Sequence, residues 1–166
     1  MKTKIIPFEI YCDGSCKKLG DTSFGGWSYV IIYDGKIIAK NFGSEVGATN
    51  QRMELLAAIE GIKMVQNYKQ EHDYVRVYSD SAYFINCCNQ NWYQTWLSNG
   101  WRTSTKKPVA NVDLWQQIIP YFDRLDYHFY KVEGHAGVAL NEMCDKMAQD
   151  AAKRLKENWK GYDKEK

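Results

Sequence analysis

Two apolar runs that each finish on a carboxylate constrain this chain most. Ile10-Tyr11-Cys12 leads into Asp13, and Val77-Tyr78-Ser79 leads into Asp80. Between them, over residues 51–68, Leu55, Ile59 and Ile62 recur at helical spacing, with Ala58 and Val65 beside them. If the two runs are parallel neighbours joined through that helix, both aspartates emerge at one edge of a sheet. Open α/β sheets bind ligands at that edge. A carboxylate at the end of a core strand is costly to desolvate without partners, so the edge must supply hydrogen bonds or a cation.

The rest of the pattern fills in an α/β protein. Residues 5–12 read as a strand with one early proline. The stretch 14–26, rich in Gly, Ser and Lys, reads as a loop. Residues 27–33 and 36–42 flank Asp34-Gly35, the pair a type I′ hairpin turn requires. Thr49 or Asn50 can cap the helix that follows. Residues 74–79 form another strand, and Ser81 caps a helix to about Cys88, which Asn89-Gln90-Asn91 interrupts. A Trp-bearing helix runs from there to Asn99, and Gly100 ends it. Residues 101–111 make a polar, basic loop, and 112–122 a helix despite Pro120. The last strand is 127–132, followed by a loop at 134–138 and a terminal helix at 139–155. The charged stretch 156–166 is expected to fray. At 166 residues without a repeat or linker, 1–166 is expected to be a single domain with a core at about 5–155. Hairpin first and helix–strand alternation after it imply a mixed sheet covered by helices.

Composition narrows the partners. A net charge of +2 gives no global attraction to nucleic acid, so any such binding needs a local patch. No apolar run reaches membrane-spanning length and the N-terminus carries no signal-peptide core, which points to the cytoplasm and no membrane partner. The five cysteines, Cys12, Cys16, Cys87, Cys88 and Cys144, are odd in number and lack zinc-site spacing. They are expected to be reduced thiols.

Two further acids border buried stripes. Glu54 lies about 100° around its helix from Leu55, and Asp145 stands similarly to Cys144, Met147, Ala148 and Ala151. Four carboxylates converging at one point would make a hard-oxygen pocket for Mg²⁺ or Mn²⁺. Each has an ordinary explanation by itself. Asp-Gly-Ser is usually a turn, Ser-Asp-Ser a helix cap, a first-turn Glu a complement to the helix dipole, and Asp145 a solvated face. Their joint order makes the case. A second constellation, Trp92, Trp96, Trp101, Arg102, Lys106, Lys107 and Trp115, interleaves aromatics with cations. It reads equally as a core cluster or as a grip on nucleic acid.

In these frames, from about residue 8 to 155, the chain resembles the type 1 ribonucleases H. The segments that carry the resemblance are Tyr11-Cys12-Asp13-Gly14-Ser15-Cys16, Thr49-Asn50-Gln51-Arg52-Met53-Glu54-Leu55, Tyr78-Ser79-Asp80-Ser81, the region 92–115, and Val132-Glu133-Gly134-His135-Ala136-Gly137 before Asn141-Glu142-Met143-Cys144-Asp145. The resemblance implies a five-stranded mixed sheet flanked by helices. It also implies hydrolysis of the RNA strand of RNA–DNA hybrids with two Mg²⁺ ions, Mn²⁺ being a possible substitute, leaving 5′-phosphate and 3′-hydroxyl ends.

Asp13, Glu54, Asp80 and Asp145 match the family's metal-binding acids. Asp13 corresponds to the one that bridges both ions, Asp145 to the one serving the ion that activates water, and Glu54 and Asp80 to those beside the leaving 3′-oxygen. His135 matches a residue that assists proton transfer or product release. Trp92, Trp96, Trp101, Lys106 and Lys107 match a protrusion that grips the DNA strand. Thr49, Asn50 and Gln51, with Arg52 nearby, match a segment that contacts DNA phosphate and substrate backbone. Asn50, Glu54 and the Gly14–Ser15 backbone are candidates to read the 2′-hydroxyl.

The chain departs from the family pattern in three places. Leu97-Ser98-Asn99 stand where well-known bacterial members carry several cations, which predicts modest hybrid affinity and a shallow salt slope. Ala82 stands where Gln often touches the minor groove. Lys17-Lys18-Leu19-Gly20-Asp21-Thr22 replaces a shorter turn. No separate N-terminal hybrid-binding module is seen, and a monomer is expected. Other classes remain open: a non-catalytic nucleic-acid-binding domain, another nuclease on the same fold, or a structural metal site. Retention of all four acids tells against the first, the His135 loop and Trp-rich region against the second, and the aromatic–basic region against the third.

Overall fold

The computed structural model describes residues 5–68, 74–132 and 139–164, with side chains to Trp159. Five strands form one mixed sheet in the order β3-β2-β1-β4-β5. They are β1 (Phe8–Leu19), β2 (Thr22–Tyr33), β3 (Lys36–Val46), β4 (Tyr74–Ser79) and β5 (Asp126–Lys131). β1 pairs antiparallel with β2 and parallel with β4, and β4 pairs parallel with β5. The helices are α1 (Asn50–Val65), α2 (Ala82–Asn89), α3 (Trp92–Asn99), α4 (Val112–Ile118) and α5 (Ala139–Lys164). Among the described residues no helix is long and apolar enough to cross a membrane.

Strand alternation distributes the core over two layers. Phe8, Ile10 and Cys12 of β1, with Val75 and Val77 of β4, point to one face. There they meet Leu55, Ala58, Ile59 and Ile62 of α1, with Phe84 of α2 and Trp115 of α4. On the other face Val30 and Ile32 of β2 are buried beneath Cys144 of α5, with Tyr11, Leu140, Met143 and Met147 around them. The hairpin between β2 and β3 turns at Asp34 and Gly35, with φ of 51° and 75°, as the sequence predicts.

The stretch 14–26, expected to be a loop, is instead paired backbone. β1 and β2 continue as an antiparallel ribbon to Leu19↔Thr22, and the chain reverses at Gly20, whose φ is 61°. Gly25 and Gly26 are there for close packing. A β-carbon on Gly25 would stand 2.6 Å from the Met53 side chain, and one on Gly26 would overlap Ala148 of α5.

The helix expected over 112–122 changes character at Ile119. It continues as a 3₁₀ turn, Ile119–Asp123, with Pro120 in its first turn, because proline cannot donate the α-helical bond. The stretch expected to fray from 156 continues α5 to Lys164. Trp159 packs edge-on against Phe24 of the ribbon at 6.0 Å, which gives this extension an apolar anchor.

Candidate active site

The parallel ladder between β1 and β4 ends at Tyr11↔Tyr78. Asp13 and Asp80 each lie two residues beyond that pair, so both carboxylates emerge where the strands part. Asp13 is not at a strand end, since β1 goes on to Leu19, but it is at the end of this pairing. Glu54 arrives from α1. Thr49 caps that helix, its hydroxyl accepting from the Arg52 amide at 3.1 Å. Gly14 lets the first turn lie directly on β1, since a β-carbon there would overlap the Glu54 amide nitrogen. Ligand oxygens of Asp13, Glu54 and Asp80 all fall within 4.8 Å of one another.

Asp145 approaches from the other layer. The Ser28 hydroxyl donates to the Cys144 carbonyl at 2.6 Å, and the Cys144 thiol donates to the Tyr11 carbonyl at 3.3 Å. These contacts seat the start of α5 over β1 and β2 and face the Asp145 carboxylate toward Asp13. Gln149 Nε2 donates to Asp145 Oδ2 at 2.9 Å, holding that carboxylate one helical turn back. Gln149 was absent from the sequence reading, although its i+4 position is the signal that finds it. His135 lies outside the described residues.

The electrostatics are those of crowded acids. Burial and the neighbouring Asp80 charge push Asp13 up to about 8, although Asp13 Oδ1 accepts from the Gly14 amide at 2.9 Å. Burial and Asp80 likewise push Glu54 up to about 7. Asp80 Oδ1 is buried without a hydrogen-bond partner among the described residues. Repelling carboxylates from three elements and a buried oxygen with no donor are what a hard divalent cation would satisfy. The donor set therefore fits Mg²⁺ or Mn²⁺.

The expected substrate contacts form two groups. Gly14 and Ser15 continue β1 past Asp13. Asn50 and Gln51 open α1 next to the Thr49 cap. Among the aromatics Trp92 is 37% exposed, whereas Trp115 is fully buried. Trp96 and Trp101 are half-buried, with Trp96 packed on Trp115 at 5.5 Å and Trp101 on Trp96 at 6.2 Å. The cluster is thus both core and surface, with Trp115 wholly core. Lys106 and Lys107 are exposed on a tight turn in which the Lys106 amide donates to the Thr103 carbonyl at 2.9 Å.

An α/β protein with a carboxylate centre at the edge of its sheet is the class that this fold and site define. The RNase H family model matches residues 7–153. The chain is 44% identical over 146 residues to the ribonuclease H of Syntrophomonas wolfei, covering 88% of this chain and 96% of that protein. It is 43% identical over 148 residues to that of Caldicellulosiruptor saccharolyticus, covering 89% and 97%. A type 1 RNase H with the type 2 active-site motif superimposes with a TM-score of 0.76 at 27% identity, covering 92% of this chain and 74% of that one. A foamy viral protease–reverse transcriptase in complex with an RNA/DNA hybrid shares the fold, with a TM-score of 0.77 at 21% identity over 92% of this chain and 21% of that one. The chain belongs to the RNase H family of endoribonucleases.

Proposed function

We propose that this protein is an Mg²⁺-dependent endonuclease that hydrolyses the RNA strand of RNA–DNA hybrids, leaving 5′-phosphate and 3′-hydroxyl ends. The observation that carries the reading is the convergence of Asp13, Glu54 and Asp80 within 4.8 Å in a chain whose relatives are ribonucleases H. Asp13, Glu54, Asp80 and Asp145 would hold two ions, with Mn²⁺ a possible substitute. When bound, such a pair supplies Lewis-acid stabilisation of the entering and departing oxygens of an in-line displacement.

Asp13 has both Asp80 and Asp145 as charged neighbours, which suits it to serve both positions. Glu54 has Asp80 as its charged neighbour, and Asp145 is a neighbour of Asp13. His135 would assist proton movement or product departure, since imidazole titrates in the useful range.

For the substrate, Trp92, Trp96, Trp101, Lys106 and Lys107 would hold the DNA strand by stacking and charge. Gly14, Ser15, Thr49, Asn50 and Gln51 would line the path of the strand that is cut. The relatives named ribonuclease H support this class of substrate. The protein would act as a single-domain monomer in the cytoplasm.

Incubation of an end-labelled RNA–DNA hybrid with the protein, with and without Mg²⁺, tests the reading. Double-stranded RNA and duplex DNA serve as controls. Metal-dependent fragments from the hybrid alone, bearing 3′-hydroxyl ends, are expected. Cleavage without metal, or 3′-phosphate products, would overturn it.

A further inference from the structure

Arg52 sits two residues before Glu54, yet its guanidinium is committed inside the protein. Nε donates to Glu45 Oε2 at 2.8 Å, Nη1 to Asp113 Oδ1 at 3.0 Å and Asn111 Oδ1 at 3.4 Å, and Nη2 to Asp113 Oδ2 at 2.8 Å and Glu45 Oε1 at 3.5 Å. The fork meets Asp113 through two parallel bonds, which fixes orientation as well as distance. Correspondingly, the hydrogen bond from Arg52 holds Asp113 below the ordinary carboxylate range.

These contacts join three places in the fold. Glu45 lies near the end of β3. Arg52 lies in the first turn of the helix that carries Glu54. Asn111 and Asp113 lie where the loop 101–111 turns into α4. Asn111 holds a left-handed φ of 60°, and its carbonyl accepts from the Leu114 and Trp115 amides at 3.0 and 3.1 Å. The loop is braced across its base, the Val109 amide donating to Trp101 at 3.0 Å and the Thr103 amide to Lys107 at 2.8 Å. Hydrogen bonds therefore run from Arg52, two residues before Glu54 on α1, to Asn111 and Asp113 at the end of the loop that bears Lys106 and Lys107.

We infer that Arg52 is a positioning residue that fixes the spacing between the basic loop and the carboxylate centre, and so governs where a long hybrid is cut. The inference rests on the hybrid-nuclease reading above. Lysine cannot replace the fork, because a point charge makes no pair of parallel bonds.

The test compares Arg52→Met, Arg52→Lys and Asp113→Asn at a temperature where circular dichroism shows each folded. Two substrates are used: a hybrid long enough to lie on both loop and centre, and a short one that reaches the centre alone. For the long hybrid KM rises roughly five- to ten-fold, the size of coupling that such networks carry, and the cut positions redistribute. For the short hybrid kcat/KM falls several-fold less than it does for the long one. The salt slope of long-hybrid binding is unchanged. The double variant Arg52→Met/Asp113→Asn is no worse than either single one, since both remove the same contact.

A salt slope smaller by about one would make Arg52 a phosphate ligand and overturn the inference. Equal losses on long and short hybrids, or additive effects of the two substitutions, would do the same. Failure of the unaltered protein to cut any hybrid would bring down the hybrid-nuclease reading, and this inference with it.

Discussion

Gly14 lies against the first turn of α1 so closely that a β-carbon there would overlap the amide nitrogen of Glu54 and stand 2.5 Å from the Met53 carbonyl carbon. The glycine beside Asp13 is thus what allows Glu54 to reach the same point. Gly14→Ala should push α1 away from β1, at about 1–3 kcal/mol of stability. Cleavage should fall further than stability does, by on the order of 100-fold, because a misplacement of about 1 Å is costly to catalysis. Melting curves and kcat measured on the same folded sample check both. Wild-type kcat in Gly14→Ala would show that the close approach does not position Glu54.

Asp13→Asn should abolish hybrid cleavage and leave the fold intact. Asp13 is buried with Asp80 and Asp145 as charged neighbours, so an amide there removes the cost of holding either a crowded charge or a proton, without removing volume. The metal-free variant should melt higher than the metal-free parent at neutral pH. Kinetics and thermal melts decide it, and full activity in the variant would defeat the assignment of Asp13.

The same crowding sets a pH dependence. Burial and Asp80 raise Asp13 from 3.8 to about 8 and Glu54 from 4.5 to about 7. Across that window the folded protein keeps protons that the unfolded chain has lost. The stability contributed by these groups is therefore full below their ordinary values and is lost as pH rises toward 7 and 8. The metal-free protein should melt progressively lower over this range, by about 2–4 °C for each kcal/mol lost. Mg²⁺ binds the deprotonated form, so its stabilising effect should grow with pH. Melting temperatures across the range, with and without Mg²⁺, test this; a flat metal-free profile would contradict it.

What the sequence revealed and what it hid follow from the range of the interactions. The Asp34-Gly35 turn, the Ser81 cap and the strand Tyr74–Ser79 are local and were legible from residue type alone. The meeting of Asp13, Glu54 and Asp80 was legible because the two apolar runs that lead into the aspartates and the helix start that carries the glutamate have recognisable frames. The ribbon over 14–26 was not. Its glycines look like turn residues, whereas Gly25 and Gly26 accommodate Met53 and Ala148, which are far along the chain. The Arg52 contacts to Glu45 and Asp113 were hidden for the same reason, since nothing in the spacing pairs residues 45, 52 and 113.

The Trp-rich region separates packing from binding within a few residues. Trp115 is fully buried among Tyr83, Phe84 and Trp96, with ring centroids at 6.2, 6.1 and 5.5 Å. Trp115→Ala should cost about 3–5 kcal/mol of stability through the cavity it leaves. Trp92 is 37% exposed, touching Tyr83 edge-on at 6.3 Å and donating to Gln90 Oε1 at 3.0 Å. Trp92→Ala should barely change the melting temperature, yet weaken hybrid binding by about 1–3 kcal/mol if a base stacks there. Lys106→Ala and Lys107→Ala should each lower the salt slope by about one without altering the fold. Direct binding titrations at several salt concentrations, alongside thermal melts, distinguish these effects. If Trp92→Ala destabilises the fold as much as Trp115→Ala while binding is unchanged, the exposed aromatic belongs to the core and the DNA strand is held elsewhere.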